Sequence, residues 1–123
     1  MAKIVVVEDE PSIVDLLKLK LGEAGHKVTS AADGPSGLRT VSRDTPDLII
    51  LDFNLPQADG ATLHKNLRAN YKTANTPIIF LTSAALDSVM TKVSDDLKTR
   101  FLEKPVDFPF LTKTITDLLT PTE

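Results

Sequence analysis

Leu48-Ile49-Ile50-Leu51 is an unbroken apolar run that ends on a single acid, Asp52. A strand with one face in water alternates apolar and polar residues, whereas a strand covered on both faces does not. The run therefore predicts a strand held between two layers, over Leu48–Leu51, with a carboxylate at its exit. Two other stretches have the same character. One is Ile4-Val5-Val6-Val7, within a strand Lys3–Val7 and followed by Glu8 and Asp9; the other is Ile78-Ile79-Phe80-Leu81, followed by Thr82 and Ser83. Lys27–Ala31 and Arg100–Glu103 mix polar with apolar residues, which suits strands at the edges of a sheet.

Helical patterns fill the gaps between these strands. After Pro11, which suits a first turn because its missing N–H costs nothing there, Ile13, Leu17, Leu21 and Ala24 recur at helical spacing, and Gly22 and Gly25 mark the exit. A second helix runs from about Pro35 to Arg43 with Leu38 and Val41 inward, and a third from about Ala61 to Asn70 with Leu63 and Leu67 inward. The fourth carries Leu86, Met90, Val93 and Leu97, a one-sided stripe read as core packing. The last starts near Pro109 and shows Leu111, Ile115 and Leu118. Strict alternation of strand and helix predicts an α/β fold, a doubly wound five-stranded parallel sheet with helices on both faces. With strands one, three and four central and the crossovers right-handed, the order 2-1-3-4-5 satisfies the pattern, a flavodoxin-like (βα)5 arrangement. Composition alone leaves open an exchange of strands three and four.

The 123 residues fit one domain, taken as residues 1–120 with 121–123 as a tail or the start of a linker. Cysteine is absent, so disulfides and thiolate metal sites are excluded. The net charge is −3, and the Lys and Arg residues are scattered rather than gathered in the basic stripe of a nucleic-acid surface. Ile4–Val7 is too short for a signal-peptide core or a membrane span, so the expectation is a cytoplasmic protein that engages neither nucleic acid nor membrane.

In a sheet of this order, ligands bind at the carboxyl ends of the strands beside the switch in strand order. Those ends carry Glu8 and Asp9, Asp52, Thr82 and Ser83, and Lys104-Pro105. Crowded carboxylates repel, and a hard divalent cation bound through oxygen relieves the repulsion; Mg²⁺ fits because it takes one or two carboxylates together with phosphate oxygens. A carboxylate such as Asp52 can attack a phosphoryl donor and become an acyl phosphate, while Lys104 neutralises and Thr82 hydrogen-bonds the transferred group. Each residue also has a plainer reading. Asp9 is a natural cap for the helix at Pro11, Asp52 a turn residue, Thr82 or Ser83 a cap for the fourth helix, and Lys104 a solvated lysine. Convergence on one rim favours the chemical reading. His26 and His64 lie away from the rim and are expected at the surface, and Asp95-Asp96 is expected to be a solvated patch late in the fourth helix.

Four segments together resemble the receiver domain of response regulators, in order and at that family's spacing over essentially the whole chain. They are Val7-Glu8-Asp9-Glu10-Pro11-Ser12, Leu51-Asp52-Phe53-Asn54-Leu55-Pro56 with Asp59-Gly60, Leu81-Thr82-Ser83-Ala84, and Lys104-Pro105. The resemblance implies Asp52 as phosphoacceptor, with Thr82 and Lys104 contacting the phosphoryl group. It implies Mg²⁺ held by Glu8, Asp9, Asp52 and the backbone carbonyl of Asn54, a cis bond before Pro105, and a switch through Thr82 and Phe101. Its partners are a sensor histidine kinase or a histidine phosphotransfer protein, and a downstream protein docking on the face of helix four, strand five and helix five. The chain departs from the family at Leu97-Lys98-Thr99-Arg100, where Gly-Ala-Asp-Asp is usual, and at Phe101, often Tyr. Val106 and Leu55 also depart, standing where Phe and Met are common. Thr99 and Arg100 replace acids that some relatives use to dimerise, so a monomer is expected.

Other functions fit less well. The chain is expected to catalyse only its own phosphorylation and dephosphorylation. A small aspartyl-phosphate phosphohydrolase needs a further acid–base Asp, and Asn54 stands two residues after Asp52 instead. A flavodoxin-like cofactor binder would not place the acidic loop Glu8-Asp9-Glu10 against a phosphate. A receiver-like scaffold that is never phosphorylated has no need of the full acid, Thr and Lys set.

Overall fold

The computed structural model describes residues 2–55, 59–93 and 96–120. Pro56, Asp95 and the tail 121–123, which the sequence reading used, lie outside the described residues. The elements alternate as expected: β1 (Lys3–Val7), α1 (Pro11–Glu23), β2 (Lys27–Ala31), α2 (Gly34–Asp44), β3 (Leu48–Asp52), α3 (Gly60–Ala69), β4 (Ile78–Thr82), α4 (Leu86–Met90), β5 (Thr99–Glu103) and α5 (Phe108–Leu119). All pairings are parallel and the order is β2-β1-β3-β4-β5. That order rules out the exchange of β3 and β4.

The apolar strands are explained by two cores. Ile4, Val6, Leu48, Ile50, Ile79 and Leu81 face one side, with Leu17 and Leu21 of α1 and Leu111, Ile115 and Leu118 of α5. Val5, Val7, Ile49, Leu51, Ile78 and Phe80 face the other, with Val41 of α2, Leu63 and Leu67 of α3 and Val89 of α4. Successive side chains of a strand point to opposite faces, so a strand serving two cores must be apolar at every position. Each fully buried Ile, Leu or Val contributes roughly 1.5–3 kcal/mol relative to exposure.

Caps set where the helices start. Asp33 accepts from the Ser36 N–H at 2.8 Å, Asp59 from Thr62 at 2.7 Å and Asp107 from Phe110 at 3.1 Å, at the heads of α2, α3 and α5. The residue before α1 is Glu10, without a side-chain cap, and the one before α4 is Ala85. The capping roles considered for Asp9, Thr82 and Ser83 are therefore not taken up.

Four expectations need correction. The fourth helix stops at Met90, which is half exposed, and Leu97 is 88% exposed, so the Leu86/Met90/Val93/Leu97 stripe is not a core face. Val89 and Val93 are the buried pair there. Helical spacing overran because the chain leaves the helix before Val93, and i, i+4 counting means nothing beyond that point. Ala24, at the end of the α1 pattern, is exposed for a similar reason: it lies past the last helical residue. His64, expected at the surface, is 1% exposed within the second core, and Asp96, expected to be solvated, is bonded to Arg68 and Thr99. Thr99, two residues before Phe101, is also buried, with its hydroxyl toward α3.

Two glycines give opposite expectations. A Cβ on Gly60 would sit 2.8 Å from Phe53 Cα, 2.9 Å from Phe80 Cε1 and 3.0 Å from the Asp52 carbonyl oxygen, whereas one on Gly22 meets nothing within 4 Å. Gly60→Ala should destabilise by about 1–3 kcal/mol through overpacking. Gly22→Ala, within α1, should stabilise by about 0.5–1 kcal/mol. Chemical denaturation of the two variants beside the parent protein checks both signs.

Candidate functional site

The sheet ladder extends past the strand ends and sets the rim. Glu8 N–H donates to the Ala31 carbonyl at 3.0 Å, Phe53 N–H to Leu81 at 3.1 Å and Lys104 N–H to Thr82 at 2.7 Å. Those bonds fix three loops in register with one another before any side chain acts. Asp52 pairs with Leu81 in the ladder, so Thr82, one residue further on, stands beside it. The cluster lies where the chain order switches from β2-β1 to β1-β3.

Glu8, Asp9 and Asp52 each offer a carboxylate oxygen within 4.8 Å of the others. Asp9 is exposed, but Glu8 and Asp52 are only 2% and 5% exposed. Their counter-charge is Lys104, whose Nζ lies 2.9 Å from Glu8 Oε1 and 3.5 Å from Asp52 Oδ1. Glu10, part of the acidic loop but not among the expected site residues, adds a third carboxylate 3.9 Å from that ammonium. Its signal was available: it is the third consecutive acid of Glu8-Asp9-Glu10. Backbone donors help as well, Glu10 N–H to Glu8 Oε2 at 3.1 Å and Asn54 N–H to Asp52 Oδ1 at 3.2 Å.

Burial pushes the Asp52 carboxyl up to about 6, and the neighbouring Glu8 charge adds to the rise; Lys104 and the Asn54 N–H pull the other way. Burial alone would lower Lys104, but Glu8 and Asp52 outweigh it and hold the ammonium above its usual range. Glu8 Oε1 is buried and, although Lys104 touches it, it accepts no hydrogen bond of good geometry. Hard carboxylate oxygens, one of them without an aligned donor, make a donor set suited to a small divalent cation rather than a soft metal.

Thr82 is fully buried and its Oγ1 accepts from Ala84 N–H at 3.0 Å, leaving its own proton to donate. The Lys104–Pro105 bond is cis. Phe101 stands apart from the carboxylates, half-buried and stacked on Phe80 with ring centres 5.2 Å apart. The site is a shallow rim: a concavity of about 290 Å³ flanks Glu8 and Asp9. A larger one of about 400 Å³, at the opposite ends of β1 and β2, is lined by Lys3, Lys27 and Arg43 and contains none of these residues.

Comparison with known proteins agrees with the geometry. The response regulator receiver domain family matches residues 4–116. The DNA-binding dual master transcriptional regulator RpaA of Synechocystis is 35% identical over a 125-residue alignment that covers all of this chain and 51% of RpaA. The response regulator PleD of Caulobacter vibrioides is 36% identical over 108 residues, 86% of this chain and 23% of PleD. The chain thus spans about half the length of the first of these relatives and about a quarter of the second. The chemotaxis response regulator CheY4 of Vibrio cholerae superposes with a TM-score of 0.88 at 32% identity, covering 97% of this chain and 99% of CheY4. The receiver domain of the Pseudomonas aeruginosa sensor histidine kinase PA1611 superposes at 0.85 with 28% identity over 96% of this chain and 97% of that one; its structure has a magnesium ion in the active-site cleft.

The raised Asp52 carboxyl has a stability consequence. A folded-state value near 6, against about 4 for an unfolded Asp, means the folded protein holds that proton more tightly. Stability is then lost as pH rises through that window, and the full cost is present above it. Asp52→Asn should therefore stabilise the metal-free protein by about 1–3 kcal/mol near pH 7.5, with the gain shrinking toward pH 4.5. Urea denaturation of both proteins at the two pH values, in EDTA, checks this.

Proposed function

The chain belongs to the response regulator receiver family, and from that premise we propose that Asp52 is its phosphoacceptor, with Thr82 and Lys104 as the groups that contact the transferred phosphoryl. As a receiver domain of two-component response regulators it is a phosphorylation-activated switch. The observation that carries the assignment is the position of Asp52: a nearly buried carboxylate at a central strand end, facing one ammonium and flanked by Glu8 and Asp9.

Transfer from a phosphohistidine donor, on a sensor kinase or a phosphotransfer protein, requires an oxygen of Asp52 to attack phosphorus as the P–N bond breaks and the imidazole takes a proton. The carboxylate must be ionised to attack. Lys104 then turns from its carboxylate partners toward the new phosphoryl oxygens, and the Thr82 O–H donates to another. Glu8, Asp9, Asp52 and the Asn54 carbonyl are the groups that would hold Mg²⁺. The ion would supply charge neutralisation for the phosphoryl oxygens. Catalysis extends no further than the domain's own phosphorylation and dephosphorylation, because Asn54 offers no acid–base group in place of a second Asp.

The same reading places the domain in the cytoplasm with its donor; among the described residues no helix is long and apolar enough to cross a membrane. The downstream partner docks on α4, β5 and α5, around a concavity of about 270 Å³ lined by Leu86, Phe101 and Phe110 among others. RpaA is a DNA-binding regulator; no contact with DNA is assigned to this domain.

Incubation with acetyl phosphate and Mg²⁺ should add one phosphoryl mass. The gain should be abolished by Asp52→Asn and by EDTA, and slowed at least about tenfold by Lys104→Ala. Labelling that survives in Asp52→Asn, or that is indifferent to EDTA, rejects the assignment.

Dimerisation is the second test. Arg100 is exposed and Thr99 buried, so neither supplies an acidic partner for pairing across β5. The beryllofluoride-treated protein should sediment as a monomer at micromolar concentration; a symmetric dimer would contradict this.

A further inference from the structure

His64 has no part in the phosphorylation chemistry, yet it is among the most buried polar residues of the chain. Its Nε2 lies 3.0 Å from Thr99 Oγ1 and 3.2 Å from Asp96 Oδ2. A hydroxyl has one proton and two lone pairs. Thr99 donates to Asp96 Oδ2 at 2.8 Å and has Arg68 Nη2 as a donor at 3.2 Å, so the remaining lone pair is the one His64 Nε2–H satisfies. The geometry thereby calls for a proton on His64 Nε2. Burial, reinforced by the Arg68 charge and opposed by Asp96, lowers its pKa and keeps it neutral.

Arg68 anchors the arrangement. It donates to both Asp96 oxygens at 3.1 and 3.3 Å, and to the Thr73 and Thr76 carbonyls at 3.0 and 2.7 Å. Burial would raise Asp96, but hydrogen bonds from Arg68, Thr99 and the Lys98 N–H bring it down to about 2. The segment entering β5 is therefore tied by a charged and fully engaged network to the end of α3.

The other face of this arrangement is aromatic. The His64 ring packs on Phe80 with centres 5.6 Å apart, and Phe80 stacks on Phe101 at 5.2 Å with planes 9° apart. Thr99 and Phe101 are two residues apart on β5 and share a face. The contacts thus close on themselves: His64 to Thr99, along β5 to Phe101, across to Phe80, and back to His64. His64 bears on the Phe101 seat twice, through the strand that carries the ring and through the ring against which it lies.

We propose that His64 is a positioning residue for the switch: held by Asp96 and Arg68, it fixes β5 and Phe80 so that Phe101 occupies its inward, stacked position. The inference rests on the reading of Phe101 as the residue that reports phosphorylation, and its test has one arm that does not. A leucine at position 64 would fill similar space but leave Thr99 and Asp96 without their partner. The balance between inward and outward Phe101 should then move outward in both the unmodified and the activated protein.

The experiment places a single fluorinated phenylalanine at position 101 and follows it by fluorine NMR at neutral pH, with and without Mg²⁺ and beryllofluoride. His64→Leu should shift the inward-to-outward ratio about fivefold toward outward, the effect of losing one buried hydrogen bond. Asp96→Asn should shift it in the same direction by less, and serves alone if His64→Leu does not fold. Val93→Ala, in the same core but outside the loop of contacts, should lower the melting temperature and leave the ratio unchanged. If the His64 and Asp96 variants lose stability without moving the ratio, or if Val93→Ala moves it equally, His64 is only a packing residue and the proposal falls. A parent protein whose fluorine signal ignores beryllofluoride while Asp52 still phosphorylates would instead reject the reading of Phe101; the unmodified arm still decides the role of His64.

Discussion

Two nearly buried carboxylates and one ammonium set the terms for this molecule. Glu8 and Asp52 are removed from water at adjacent strand ends, and Lys104, from the loop after a strand two places further along, is the only cation within reach among the described residues. One positive charge cannot satisfy two negative ones, and Asp9 and Glu10 add to the imbalance. The outcome is visible in Asp52, whose carboxyl is pushed up toward neutrality while Lys104 is held charged. A site with surplus negative charge favours whatever brings positive charge, and a metal ion that did so would also leave Asp52 ionised and able to attack. The electrostatic tension is thus a property of the resting protein, present before any donor arrives.

A chain tolerates such tension only if its backbone does not yield to it. Here the sheet provides that rigidity. The ladder bonds Glu8–Ala31, Phe53–Leu81 and Lys104–Thr82 continue the strand pairing into the loops that carry the charges. The central strands beneath, β1, β3 and β4, are apolar on both faces and packed between two cores. Moving the backbone at Glu8 away from Asp52 would break ladder bonds or expose Val7 or Leu51, and each of these opposes the repulsion between the carboxylates.

How much of this could be read from the sequence follows from the same physics. Strands with two buried faces leave an unmistakable run, so Ile4–Val7, Leu48–Leu51 and Ile78–Leu81 located the sheet, and the residues after them located Glu8, Asp9, Asp52 and Thr82. The short α4 was misread because Leu86, Met90, Val93 and Leu97 keep a helical spacing that the chain abandons after Met90. His64 was misread for a different reason. A histidine on a helix is ordinarily solvated, and its burial depends on a hydroxyl 35 residues away in sequence. The engagement of Asp96 is hidden in the sequence because its partner Arg68 lies on α3, 28 residues away. Local patterns reveal faces and ends; they do not reveal which polar groups from distant elements satisfy one another.

Those long-range partners converge on α3. At its head, Asp59 caps the helix and Gly60 packs against Phe53, Phe80 and the Asp52 carbonyl, closer than any Cβ would allow. One turn on, His64 meets Phe80 and Thr99; another turn on, Arg68 holds Asp96. A single ten-residue helix therefore touches the backbone of Asp52 at one end and the entry to β5 at the other. Helices move as rigid bodies more readily than they bend, so a displacement at Gly60 would be felt at His64 and Arg68. Phe80 stands midway, against Phe53 on the rim side and Phe101 of β5 on the other. Two sets of contacts then join the Asp52 rim to β5, one through Thr82 in β4 and one through α3 behind it. The departures from the family at residues 97–100 fall where the second of these ends: Leu97, Lys98 and Thr99 form the segment that Asp96 and Arg68 pin down.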